Sequence, residues 1–157
     1  MKITQNIILD FSHIYPEDIE ERGRGFKRID LSDIEGTNMY CTKEAENEIR
    51  RRLAACSPHG IHFLDNGNYH YATKFFAEKI SFPFSLVLYD HHSDMQPSLF
   101  PGMLSCGNWA AELLRSHASL RQLILVGPEQ KSMEEIPPDF KGKLVCISME
   151  EIDEHMV

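Results

Sequence analysis

Phe84 to Asp94 reads FSLVLYDHHSD, an apolar run followed directly by five polar residues. Phe84 to Tyr89 has the continuous apolar character of a strand in a parallel sheet covered on both faces, where neither side meets water. Asp90, His92 and Asp94 leave its end at alternate positions. Along an extended chain end, alternate side chains project the same way, so these three are expected to converge on one point. His91 should point away. Two carboxylates and an imidazole suit manganese, non-haem iron or zinc better than calcium, and the lack of thiolates disfavours copper(I). Without a cation the carboxylates would repel one another and raise at least one pKa; a bound divalent ion keeps both ionised.

Working outward, Gly60 to Leu64 (GIHFL) reads as a strand lying parallel to Phe84–Tyr89. Its carboxyl end, with the turn Asn66-Gly67-Asn68-Tyr69-His70, falls on the same rim, and His70 becomes a fourth ligand. Asn68 or Asp65 can start a helix with Tyr69, Thr73, Phe76 and Ile80 on one face until Pro83 stops it. Upstream, Asn6 to Phe11 (NIILDF) is a compact apolar run. The charged stretch from Tyr15 to Gly36, punctuated by Gly23 and Gly25, reads as an irregular solvated excursion. Thr42 can cap a helix with Glu44 and Glu46 in its first turn, running to Leu53 before Ser57-Pro58. Downstream come a helix from Asn108 to about His117, strands Leu120–Val126 and Lys143–Ile147, and an exposed loop from Glu134 to Gly142. Alternating strands and helices predict an α/β fold with a mostly parallel sheet, whose ligands sit beyond the carboxyl ends of the strands.

The 157 residues fit one globular domain, by the rough figure of about 100 to 200 residues per domain. Sixteen Lys and Arg against twenty-four Asp and Glu give a formal charge of -8, which argues against nucleic acid as a partner. No segment approaches the roughly 20 apolar residues needed to cross a bilayer, and the amino terminus turns polar at once, so a cytoplasmic chain with no membrane partner is expected. Cys41, Cys56, Cys106 and Cys146 form no Cys-x-x-Cys pair and read as reduced, mostly buried thiols. His13, His59, His62, His117 and His155 carry no supporting pattern and read as structural or exposed.

With these residues in place, FSLVLYDHHSD resembles the ureohydrolase (arginase, agmatinase and formimidoylglutamase) motif of an apolar strand followed by Asp-x-His-x-Asp. Asn66 to His70 resembles that family's upstream Gly-Gly-Asp-His turn, keeping Gly67 and His70. Gly107-Asn108 is similar to its Ser-Gly-Asn substrate loop, and Val126-Gly127 and Val145 to Glu151 follow in the same order. The resemblance runs from about Gly60 to the end of the sequence. It implies a three-layer α/β/α arginase-like fold with two manganese ions, Asp90 bridging them, His70 and Asp94 serving one and His92 the other; iron or zinc would suit the same donors. It implies hydrolysis of a C–N bond in a guanidino or related amidine substrate, with Cys106 and Asn108 on the substrate side.

Three departures from the pattern carry weight. The family's later Asp-x-Asp ligand pair would lie beyond Val157, so the sequence reads as the amino-terminal portion of an arginase-like domain. The histidine expected two residues after the substrate-loop Asn is Ala110, leaving no catalytic residue assignable there. Asn68-Tyr69 also replaces Gly-Asp in the upstream turn. A non-catalytic metal-binding protein of the same fold is therefore one rival reading. A DHH-type phosphoesterase is another, although its early His-x-x-x-Asp-x-Asp cluster is only approached by Ser12 to Asp18. Zinc deacetylases, which need two consecutive His before their ligands, fit least. A sheet ending there would expose an edge and apolar faces, so a homo-oligomer is expected.

Overall fold

A computed structural model describes residues 4–22, 25–134, 136–140 and 142–155. The first three residues, Gly23, and Glu135 and Lys141 of the expected loop lie outside them. In chain order the elements are β1 (Asn6–Asp10), α1 (Ile19–Arg22), β2 (Phe26–Asp30), β3 (Tyr40–Cys41), α2 (Lys43–Leu53), β4 (His62–Phe63) and a 3-10 segment Gly67–Ala72. Then come α3 (Thr73–Ala77), β5 (Phe84–Tyr89), β6 (Leu104–Ser105), α4 (Trp109–Ser116), β7 (Leu120–Val126), α5 (Gln130–Glu134), a 3-10 turn Pro138–Phe140, β8 (Leu144–Ile147) and α6 (Met149–His155). The class is α/β with mostly parallel strands. The chain divides into two compact units, Met1–Lys79 with Phe100–Cys106, and Ile80–Leu99 with Gly107–Val157.

In the first unit β1 lies between β2 and β4, parallel to both. Ile7, Ile8 and Leu9 are fully buried, the signature of a strand covered on both faces. Each such side chain contributes about 1.5 to 3 kcal/mol through burial. β4, expected beside Phe84–Tyr89, pairs instead with β1. The residues between Tyr15 and Gly36, expected to be irregular, supply α1 and β2. β2 escapes an apolar reading because its sequence, FKRID, serves as an end strand with Lys27 and Asp30 exposed.

α2 begins where the capping pattern puts it: the Thr42 hydroxyl accepts from the Ala45 N–H at 3.2 Å. Glu44 and Glu46 in the first turn and Arg50, Arg51 and Arg52 in the last complement the helix dipole. Its carboxyl end is closed by the Lys79 ammonium, which donates to the carbonyls of Leu53, Ala54 and Cys56. Gly60 precedes β4 at φ +141, where a Cβ would meet the Gln5 carbonyl oxygen at 2.0 Å, so no other residue fits. The helix expected through Ile80 appears as the 3-10 segment, which Asn66 caps through the Asn68 N–H at 2.9 Å, and the short α3.

The second unit holds β5, β7 and β8 in that order, all parallel. β5 and β7 occupy the ranges their apolar runs predict. β5 is not covered on both faces: Leu86 and Leu88 are half-buried, whereas Val87 and Tyr89 are exposed. Phe140, inside the expected exposed loop, is buried and lies under the Arg115 guanidinium. All four cysteines are reduced, Cys41 and Cys56 buried and the other two half-buried.

Candidate metal centre

Asp90 begins at the edge of regular structure, its N–H donating to the Val126 carbonyl at 3.1 Å and so extending the β5–β7 ladder by one residue. The chain then turns. The Asp90 carboxylate accepts from the His92 N–H at 3.0 Å, closing a two-residue turn where an extended end was expected. As a result His92 and Asp94 do not share one environment. The His92 side chain is 72% exposed, with Nδ1 3.4 Å from an Asp90 carboxylate oxygen. Asp94 is 2% exposed. His91, as expected, turns outward, and its carbonyl accepts from the Glu129 N–H at 3.2 Å.

Asp94 is fixed from several sides. Its backbone adopts φ +52, in the left-handed region that Asp tolerates better than most residues. Its carbonyl accepts from the Ala110 N–H at 3.1 Å, and its carboxylate accepts from the Trp109 indole Nε1–H at 2.7 Å. The adjacent Ser93 N–H donates to the Ser132 hydroxyl at 3.0 Å. Burial pushes the Asp94 carboxyl up to about 7, helped by the Asp90 charge and opposed by the Trp109 hydrogen bond and by His92. The repulsion between carboxylates that the sequence implied is the smaller of the two raising effects; burial is the larger.

In the first unit, His70 lies in the 3-10 segment and its Nε2 is 2.7 Å from the Cys106 carbonyl oxygen. A carbonyl can only accept, so Nε2 donates, and Nδ1 is the ring nitrogen that would serve a metal. Cys106 thus enters through its backbone, and its own N–H donates to the Met39 carbonyl at 2.8 Å. Asn108, buried at the start of α4, accepts through its carbonyl from the Glu112 N–H at 3.1 Å. Ala110 is buried and brings no titratable group. Within the second unit Asp90 and Asp94 supply two carboxylates able to hold a metal ion, and His70 carries its imidazole in the first unit. Trp109 is the functional residue that the sequence reading missed. Its signal was the indole N–H, which needs an acceptor when buried.

No family model and no solved structure matches the chain. Over 129 residues, 82% of its length, it is 30% identical to an uncharacterized protein of Thermotoga maritima, and the match spans 51% of that protein. The chain therefore covers about half the length of this relative. No helix among the described residues is long and apolar enough to cross a membrane.

Proposed function

We propose that the chain binds a divalent metal ion through Asp90 and Asp94, with His70 as nitrogen ligand and His92 beside Asp90, and that it serves metal-dependent hydrolysis of a guanidino or related amidine group. One observation carries the reading: a buried Asp94 carboxylate, held by Trp109 and raised in pKa with the Asp90 charge contributing, is a costly arrangement that a cation relieves. The donor set fits manganese, as the ureohydrolase resemblance implies, and equally iron or zinc. When bound, such an ion supplies a hydroxide near neutral pH by lowering the pKa of water.

The chain's own residues prepare the site. Trp109 orients Asp94, the Cys106 carbonyl selects the His70 tautomer, and the Asp90 carboxylate fixes the turn through the His92 N–H. Asn108 would face the substrate. The arginase-like three-layer arrangement belongs to the same proposal. A second reading, metal binding without turnover, is favoured by Ala110, which offers no proton-transfer group at the family's histidine position.

Manganese loading, desalting and elemental analysis of the wild type, Asp90→Ala and Asp94→Ala test the centre, followed by a screen of guanidino compounds for urea release. Bound metal lost in both variants, together with urea release, supports the hydrolase. Bound metal without release supports the second reading. No retained metal in the folded wild type ends both.

A further inference from the structure

The carboxyl ends of β5 and β7 border a cavity of about 370 Å³, a size that suits a small ligand. In parallel sheets this rim is where ligands bind. Backbone bonds build it: the Asp90 N–H donates to the Val126 carbonyl at 3.1 Å, and the Met149 N–H donates to the Pro128 carbonyl at 3.3 Å, tying the start of α6 to the loop after β7. Tyr89, Val126, Met149 and Ile152 make the walls apolar, and Asp90 brings a carboxylate. No lysine or arginine is among the described residues that line it. We infer that this cavity takes the body of the substrate, and that the substrate is a guanidine or amidine carrying an uncharged aliphatic or aromatic group rather than an amino acid.

The two ends of such a ligand are recognised by different physics. The planar cationic head meets Asp90, and in the metal-free chain the carboxylate receives it directly, in the fork that carboxylates form with guanidinium. The apolar body displaces water from the walls, where Tyr89 is 78% and Met149 37% exposed. A carboxylate tail would instead be stripped of water with no cation to receive it. It would also be repelled by Glu150 and Glu151, which α6 carries between Met149 and Ile152. Guanidino acids are therefore disfavoured both by what the cavity lacks and by what borders it. The choice of an amidine head rests on the function proposed above, whereas the choice of an uncharged body rests on the cavity.

Calorimetric titration of the chain with chelator present tests this, using phenethylguanidine, its uncharged isostere phenethylurea, and arginine. Phenethylguanidine should bind at least about tenfold more tightly than either of the others. Met149→Arg places a cation in the wall, and should weaken phenethylguanidine several-fold while tightening arginine. Ile152→Ala should weaken phenethylguanidine several-fold and leave arginine unchanged, and it carries the test if the arginine variant does not fold. Arginine or phenethylurea binding as tightly as phenethylguanidine overturns the inference, as does a ranking that both substitutions leave unchanged. Urea release after manganese loading is read separately. Its absence with the binding ranking intact ends the hydrolase reading and leaves the ligand class supported. Faster release from arginine than from phenethylguanidine keeps the hydrolase reading and overturns the ligand class.

Discussion

The Trp109 indole N–H donates to the Asp94 carboxylate at 2.7 Å, with the indole 1% and the aspartate 2% exposed. The donor sits on the first residue of α4 and the acceptor ends the turn that follows β5, so helix placement sets the direction of a proposed ligand. Trp109→Phe keeps the ring and removes the donor. The Asp94 carboxyl then loses the strongest influence holding its pKa down, and protons compete better with metal. Manganese affinity should fall about 10- to 100-fold, the usual effect of losing an outer hydrogen bond to a ligand. Elemental analysis after desalting reads this directly, and unchanged retention would sever Trp109 from the site.

The Asp94 carboxyl, pushed up to about 7, is held protonated by the metal-free fold over a range where the unfolded chain ionises it. Its contribution to stability is complete below the ordinary value of 3.8 and is lost as pH rises through about 7. With chelator present, this group should cost the wild type on the order of 3 kcal/mol between pH 5 and pH 8, and Asp94→Asn should escape the loss. Added manganese should reverse the ranking at pH 8 by stabilising the wild type alone. Urea denaturation at the two pH values decides it; parallel curves for the two proteins would refute the assignment.

Much of this was legible in the sequence where one physical signal dominated. β5 and β7 follow from apolar runs too short for helices, and α2 follows from Thr42 with the acidic first turn and the Ser57-Pro58 stop. β2 was hidden because an end strand can carry Lys27, Arg28 and Asp30. The pairing of β4 with β1 was hidden because strand order depends on which hydrogen-bonding edges meet, which residue periodicity does not encode. Within the site, residue types named Asp90, His92 and Asp94, but alternation could not foresee the Asp90 carboxylate capturing the His92 N–H. That bond ends the extended geometry on which convergence of the three depended. Trp109 was overlooked because an aromatic in an apolar helix reads as core until its N–H is counted.

His62 bears on acid stability in the opposite sense to Asp94. Its Nε2 is buried with no hydrogen-bond partner among the described residues, and its ring stacks on Phe76 with centroids 4.0 Å apart. Burial lowers its pKa below the ordinary 6.5, against the backbone groups of Gln5 and Ser57. The contribution of neutral His62 is complete above pH 6.5 and is lost as pH falls through the lowered value. His62→Phe keeps the stack and cannot charge. It should therefore be more stable than wild type by a wider margin at pH 5 than at pH 8. A margin independent of pH would mean that the orphaned nitrogen costs packing energy only.

Thr42 and Gly36 form a coupled pair in the same unit. The Thr42 hydroxyl caps α2 through Ala45, and the Thr42 N–H donates to the Gly36 carbonyl at 3.0 Å. Thr42→Ala should cost about 1 kcal/mol, while Thr42→Ser should retain most of the capping. Gly36→Ala should cost more, because φ is +72 and the new Cβ would lie 2.7 Å from Thr42 Cγ2 and 2.9 Å from Oγ1. Both of those atoms vanish in Thr42→Ala, leaving only the backbone strain at residue 36. The double variant should then be less destabilised than the two single effects combined, by about 0.5 kcal/mol or more in a denaturation cycle. Strict additivity would show that the loop yields to a Cβ without pressing on Thr42, and that the tight approach is not what holds the start of α2.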